Sequence, residues 1–330
     1  MSRLLQINDL KVHFPVRTGR FGGSQSVVKA VDGVTISIDE NETVAIVGES
    51  GCGKSTMGNA VLGLAPVTAG RIEFQGQDLA SMDAAGRRQV WRDLQVVFQD
   101  PVSALNPRRT IAESIAEPLQ IHGYERVQIK ARVDELMDLV GLNPDQRDRR
   151  PGALSGGQRQ RVVIARALAL SPKLIICDEP VSALDVSIQS QILNLLMRLQ
   201  RELGLSYLFI AHDLSVVRHI ADRVAVMYLG MVVEEGPAAT VFANPVHPYT
   251  EALLSAIPLP DPSLRHTRKR IVLEGDLPSP MNPPAGCPFV TRCPIAEPAC
   301  GDARPPLEQV SSMHFVRCRV RVPEAVSERT

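Results

Sequence analysis

An apolar strand that runs straight into a glycine-rich turn and then a helix leaves a chain few folding options, and residues 43–56, TVAIVGESGCGKST, have that order. Within them, residues 48–55 fit G-x-x-x-x-G-K-S/T, placed directly after a strand and before a helix, where the motif has a mechanism. Glycines let the backbone curl so that successive N–H groups face a phosphate, and the helix N-terminus adds partial positive charge. Gly48, Ser50, Gly51, Cys52 and Gly53 are predicted to line the phosphates. Lys54 is predicted to reach the β- and γ-phosphates, Ser55 to hold Mg²⁺, and Thr56 to meet the α-phosphate.

A second apolar run, KLIICD at 173–178, is followed by Glu179 and supplies the other half of such a site. Asp178 is predicted to hold Mg²⁺ through water, and Glu179 to polarise the attacking water as general base. The runs at 43–48 and 173–178, with SYLFIA at 206–211, lack polar alternation, as strands buried on both faces do. They predict a central, largely parallel sheet. Helices are predicted from Ser55, over about 127–140 with Gly141 as a stop, over about 157–170, and after Asp185. In the last of these, Ile188, Ile192, Leu195, Leu196 and Leu199 line one side. Strand and helix alternate, so the fold class is α/β, with two further strands expected at 4–14 and 30–38.

The 330 residues suit one main domain with an appendage. Lysine plus arginine and aspartate plus glutamate number 36 each, so bulk charge gives no reason to expect a nucleic-acid partner. The N-terminus, MSRLLQINDLKVHF, has no long apolar run before its charges, and no later stretch is long and apolar enough for a spanning helix. The chain is expected in the cytoplasm.

LSGGQ at 154–158 matches the signature that separates ABC ATPases from other phosphate-loop ATPases, and the chain resembles that family. The resemblance extends to Gln99 in VFQDP as the Q-loop glutamine, residues 182–185 ending in Asp185 as the D-loop, and His212 as the switch histidine. It implies a RecA-like parallel-sheet core, an N-terminal antiparallel β subdomain and a helical insertion over about 100–165. It also implies ATP and Mg²⁺, with Ser55, Gln99 and Asp178 around the metal and Lys54, Gln99, Glu179 and His212 catalytic. Ser155, Gly156, Gly157 and Gln158 would then hold the γ-phosphate bound by an opposite subunit. Phe14 is the candidate for stacking on adenine, with Phe21 the alternative.

Of six cysteines, Cys287, Cys293, Cys300 and Cys318 cluster near the C-terminus, beyond a proline-rich stretch that carries the basic run at 265–270. In a reducing compartment such a cluster suggests metal before disulfide, and four thiolates suit Zn²⁺ or an iron–sulfur cluster. Spacing alone does not choose. HPYTEALLSAIP at 247–258 and GDLPSPMNPPAGCPFVTRCP at 275–294 resemble the C-terminal extension of oligopeptide and dipeptide permease ATPases, most closely the F-type subunit. That resemblance implies a 4Fe-4S cluster on the four cysteines, with Zn²⁺ the alternative. Residues 1–256 are accordingly read as the nucleotide-binding domain, 257–284 as a linker and 285–330 as a Cys-rich module.

The implied assembly is a heterodimer with a second ABC ATPase at the cytoplasmic face of the cell membrane. Two membrane permeases would sit above it, and an extracytoplasmic binding protein would deliver di- or oligopeptides. A related importer for nickel or oligosaccharide, or a soluble ABC ATPase acting on DNA or ribosomes, is the alternative reading. A redox-sensing role for the cysteines is an added function at most.

Overall fold

The computed structural model describes residues 3–17, 25–257 and 271–322. Phe21 and the basic run at 265–270 lie outside them. The chain divides into two compact units, one of Met1–Leu4, Ile38–Thr43 and Phe74–Ile210, the other of Leu5–Ser37, Val44–Glu73 and Ala211–Thr330.

In the first unit, strands Leu94–Val97, Leu174–Asp178 and Ser206–Ala211 pair in parallel, with Leu174 opposite both Leu94 and Ser206. The near-continuous burial of Leu174–Asp178 and Ser206–Ala211 matches the missing alternation. Helix Arg126–Leu139 buries Val133, Leu136 and Met137 and stops at Gly141, whose φ of 68° is left-handed. It packs on Ile111–Ile121, a helix that the sequence reading did not single out. Its start was nevertheless written in the chain, because Thr110 and Glu113 cap each other reciprocally. Helix Gly156–Leu168 packs against both, and helix Val186–Leu203 buries Ile192, Leu193, Leu195, Leu196 and Leu199 before ending at left-handed Gly204.

In the second unit, strand Arg3–Arg17 lies between Gln25–Asp39 and Ala69–Phe74. Strand Thr43–Val47 runs parallel to Arg223–Tyr228, which pairs antiparallel with Met231–Pro237. The sequence reading did not assign the last two strands, whose connection at Leu229 and Gly230 turns through two positive-φ residues. The Cys-rich segment then extends this sheet. His314–Val316 adds antiparallel to Met231–Pro237, and Glu308–Ser311 adds to His314–Val316.

Candidate active site

The phosphate loop lies in the second unit. Gly53 is the residue before helix Lys54–Val61, with φ 106°, and no side chain caps that helix start. The geometry admits only glycine at two points: a Cβ on Gly53 would lie 2.0 Å from the carbonyl oxygen of Ala30, and one on Gly48 would lie 2.1 Å from that of Met227. The loop is thus pressed against neighbouring backbone while Ser50, Gly51 and Ser55 remain exposed. Lys54 is buried, and its Nζ donates to the carbonyls of Gly48 at 2.7 Å and Glu49 at 3.0 Å. Burial pushes the Cys52 thiol up, against the opposing pull of Lys54. Thr56 is half-buried in the first turn of the helix, and His212 is exposed beyond strand Ser206–Ala211.

In the first unit, Asp178 ends its strand and the next residue turns sharply. Glu179 has φ 47°, a left-handed conformation uncommon for a side chain of this kind, and its N–H donates to the carbonyl of Ile210 at 2.9 Å. Gln99 Nε2 donates to Glu179 Oε2 at 3.0 Å. The hydroxyl of Ser182 donates to the carbonyl of Glu179 at 3.0 Å. Two of the predicted catalytic residues are therefore in direct contact.

The signature begins a helix through a capping box: Gln158 N–H donates to Ser155 Oγ at 3.3 Å and Ser155 N–H donates to Gln158 Oε1 at 2.9 Å. Its glycines also allow close packing. A Cβ on Gly157 would lie 2.6 Å from Ile188 Cγ2, and one on Gly156 would lie 3.3 Å from Leu184 Cδ2. The signature is thus fitted to the segment that carries Asp185, itself the exposed N-cap of helix Val186–Leu203. Phe14 is half-buried on strand Arg3–Arg17.

The sequence reading missed the residues that hold the loop from behind. Glu49 N–H donates to the Tyr249 hydroxyl at 2.8 Å, and Arg292 forks onto the Glu49 carboxylate, Nη1 to Oε2 at 2.8 Å and Nη2 to Oε1 at 3.2 Å. Buried Tyr228, Tyr249 and Phe289 form an edge-packed aromatic cluster beside them, with centroids 4.7–5.4 Å apart. Nothing in the motif flags Glu49, which occupies one of its unspecified positions. A second tie runs from Arg304 to Asp32, Nη1 to Oδ2 at 2.7 Å, where His13 Nε2 also lies 3.0 Å from Oδ1. Burial would raise the Asp32 carboxyl, but these partners hold it below the usual carboxylate range. Buried Glu234 accepts from the N–H groups of Val246 and His247 and pairs with His314 at 2.8 Å.

Cys287, Cys293, Cys300 and Cys318 share this unit. Burial pushes the Cys287 thiol up to about 11, with smaller contributions from the other three cysteines. Cys287 N–H donates to the carbonyl of Cys300 at 2.8 Å. The donor chemistry suits zinc or an iron–sulfur cluster, but the placement does not match the expected centre. Among the described residues no group of three or more His, Cys, Asp or Glu side chains is arranged to hold a metal ion. The 4Fe-4S or zinc site expected from the cysteines is corrected accordingly: the thiols share one neighbourhood without a ligating arrangement.

Residues 31–182 match the ABC transporter family, and residues 233–300 match the C-terminal region of oligopeptide/dipeptide transporters. The chain is 56% identical to the oligopeptide transport ATP-binding protein OppF of Salmonella typhimurium over 319 residues, covering 96% of this chain and 95% of that protein. It belongs to the ABC transporter ATP-binding family. This ABC ATPase is also 50% identical over 306 residues to the dipeptide transport ATP-binding protein DppF of Escherichia coli, covering 92% of the chain and 91% of that protein. Its fold is that of solved ABC cassettes. One, the dimeric cassette MJ0796 in a post-hydrolysis state with ADP and Pi, matches with a TM-score of 0.62 and 30% identity over 71% of this chain and 98% of that one. Among the described residues no helix of this ABC ATPase is long and apolar enough to cross a membrane.

Proposed function

We propose that this ABC ATPase powers the import of di- or oligopeptides, working at the cytoplasmic face of the membrane with a second ABC ATPase and two permease subunits. The observation that carries the reading is similarity along 96% of the chain to an oligopeptide transport ATP-binding protein, together with the matched peptide-transporter C-terminal region. A binding protein outside the membrane would deliver the peptide.

The residues have roles that their chemistry supports. Lys54 and the N–H groups of residues 48–56 bind the phosphates, and Phe14 stacks on adenine. Hydroxyl, carboxylate and amide oxygens from Ser55, Asp178 and Gln99 suit a hard cation such as Mg²⁺. Glu179 accepts a proton from water, Gln99 positions the Glu179 carboxylate, and His212 donates to the γ-phosphate. Ser155, Gly156, Gly157, Gln158 and Asp185 act towards the partner ATPase, so one chain is half of the catalytic assembly. The domain reading keeps 1–256 as the ATPase, 257–284 as linker and 285–330 as the Cys-rich module.

Co-purification from native membrane in mild detergent tests the assembly, with partner identification and iron, sulfide and zinc analysis on the same sample. Recovery of a second ATPase and two apolar membrane proteins is the expected result. Recovery alone, with hydrolysis stimulated by nucleic acid, would contradict the transport reading.

A further inference from the structure

Glu49 poses an electrostatic problem. It places a carboxylate inside a loop whose work is to attract a polyphosphate, and like charges at that range disfavour binding. Arg292 answers it with two parallel hydrogen bonds from a guanidinium whose side chain is only 10% exposed. Every polar group of Glu49 is in fact engaged: its N–H by Tyr249, its carbonyl by Lys54, its carboxylate by Arg292. Arg292 lies between Phe289, fully buried in the aromatic cluster, and Cys293. Its backbone is fixed as well, since Arg292 N–H donates to the carbonyl of Phe289 at 3.0 Å.

We propose that Arg292 is a positioning residue for nucleotide binding: from the Cys-rich module it neutralises and clamps Glu49, so that the phosphate loop offers its N–H groups without an opposing negative charge. The inference rests on the reading of residues 48–56 as the ATP phosphate site. It gives the C-terminal module a direct hold on that site, through one side chain and independently of any metal.

Equilibrium titration of the full-length chain with a slowly hydrolysed MgATP analogue tests this, alongside thermal unfolding. Arg292→Met should raise Kd about tenfold, within the usual range for coupling between distinct sites. Adding Glu49→Gln to Arg292→Met removes the exposed charge and should recover most of that loss. A residue that served only stability would lower the unfolding temperature, and the second substitution would bring no recovery in Kd. Arg292→Lys keeps the charge without the fork, and a Kd about threefold above wild type is expected for it. It is the variant to read if Arg292→Met melts below the assay temperature, and an unchanged Kd would then overturn the inference. Lys54→Ala separates the two levels. If it loses binding while Arg292→Met binds like wild type, the clamp is wrong and the ATP site stands. If neither wild type nor any variant binds the analogue, the ATP site itself is wrong and the clamp falls with it.

Discussion

Gln99 and Glu179 lie 80 positions apart in sequence and meet through one hydrogen bond, Nε2 to Oε2 at 3.0 Å. The amide fixes the direction of a carboxylate whose own backbone is held in a left-handed turn, so the pair acts as a unit. Gln99→Ala should lower kcat for ATP hydrolysis by roughly tenfold, with a smaller change in KM, because it releases the proposed base and leaves the phosphate loop intact. Steady-state kinetics on the assembled transporter would show the split. An equal loss in KM alone would place Gln99 in substrate binding.

The phosphate loop tolerates no side chain at Gly53. Gly53→Ala would drive a Cβ to 2.0 Å from the Ala30 carbonyl at a φ of 106°. A destabilisation on the order of 3 kcal/mol or more is expected in urea unfolding, with loss of nucleotide binding, since rigid backbone must move. Gly51→Ala is the contrast, because nothing lies within 4 Å of its added Cβ, although its φ of 79° still strains the backbone. It should cost clearly less.

Acid should weaken the second unit through His247. Burial pulls this histidine from the ordinary 6.5 down to about 4, with Glu234 opposing and Arg317 reinforcing the shift. Its Nδ1 accepts the Tyr249 N–H at 3.1 Å, a bond that only the neutral tautomer makes. Between about pH 6.5 and 4 the unfolded chain binds this proton and the folded chain does not, so stability falls as pH falls, by at most about 1.4 kcal/mol per pH unit from this group. Chemical unfolding of His247→Gln should show a shallower loss over the same window. An identical slope would remove His247 as a contributor.

Much of the candidate site was legible because each part is local. A strand, a glycine turn and a helix fix Lys54 and Ser55 within a few residues, and the LSGGQ sequence carries its own capping box in Ser155 and Gln158. Three core strands, Thr43–Val47, Leu174–Asp178 and Ser206–Ala211, were equally plain from unbroken apolar runs, whereas the buried strand Arg223–Tyr228 was not assigned. What escaped depends on pairing across the chain. Strand Met231–Pro237 carries two buried glutamates, Glu234 and Glu235, and so does not read as apolar, yet Glu234 is satisfied by His314 and two N–H groups. The Glu49–Arg292 pair spans 243 positions, and no local pattern announces it. The cysteines were the converse case, since four thiols close in sequence suggest a centre that their placement does not form.

The most direct test of the account is ATP turnover by Glu179→Gln in the assembled transporter, measured beside MgATP binding. With Glu179 in the proposed role of base and making none of the proposed phosphate contacts, binding should match wild type while hydrolysis falls by about a hundredfold or more. Turnover equal to wild type, with binding retained, would contradict the assignment of Glu179 as the catalytic base.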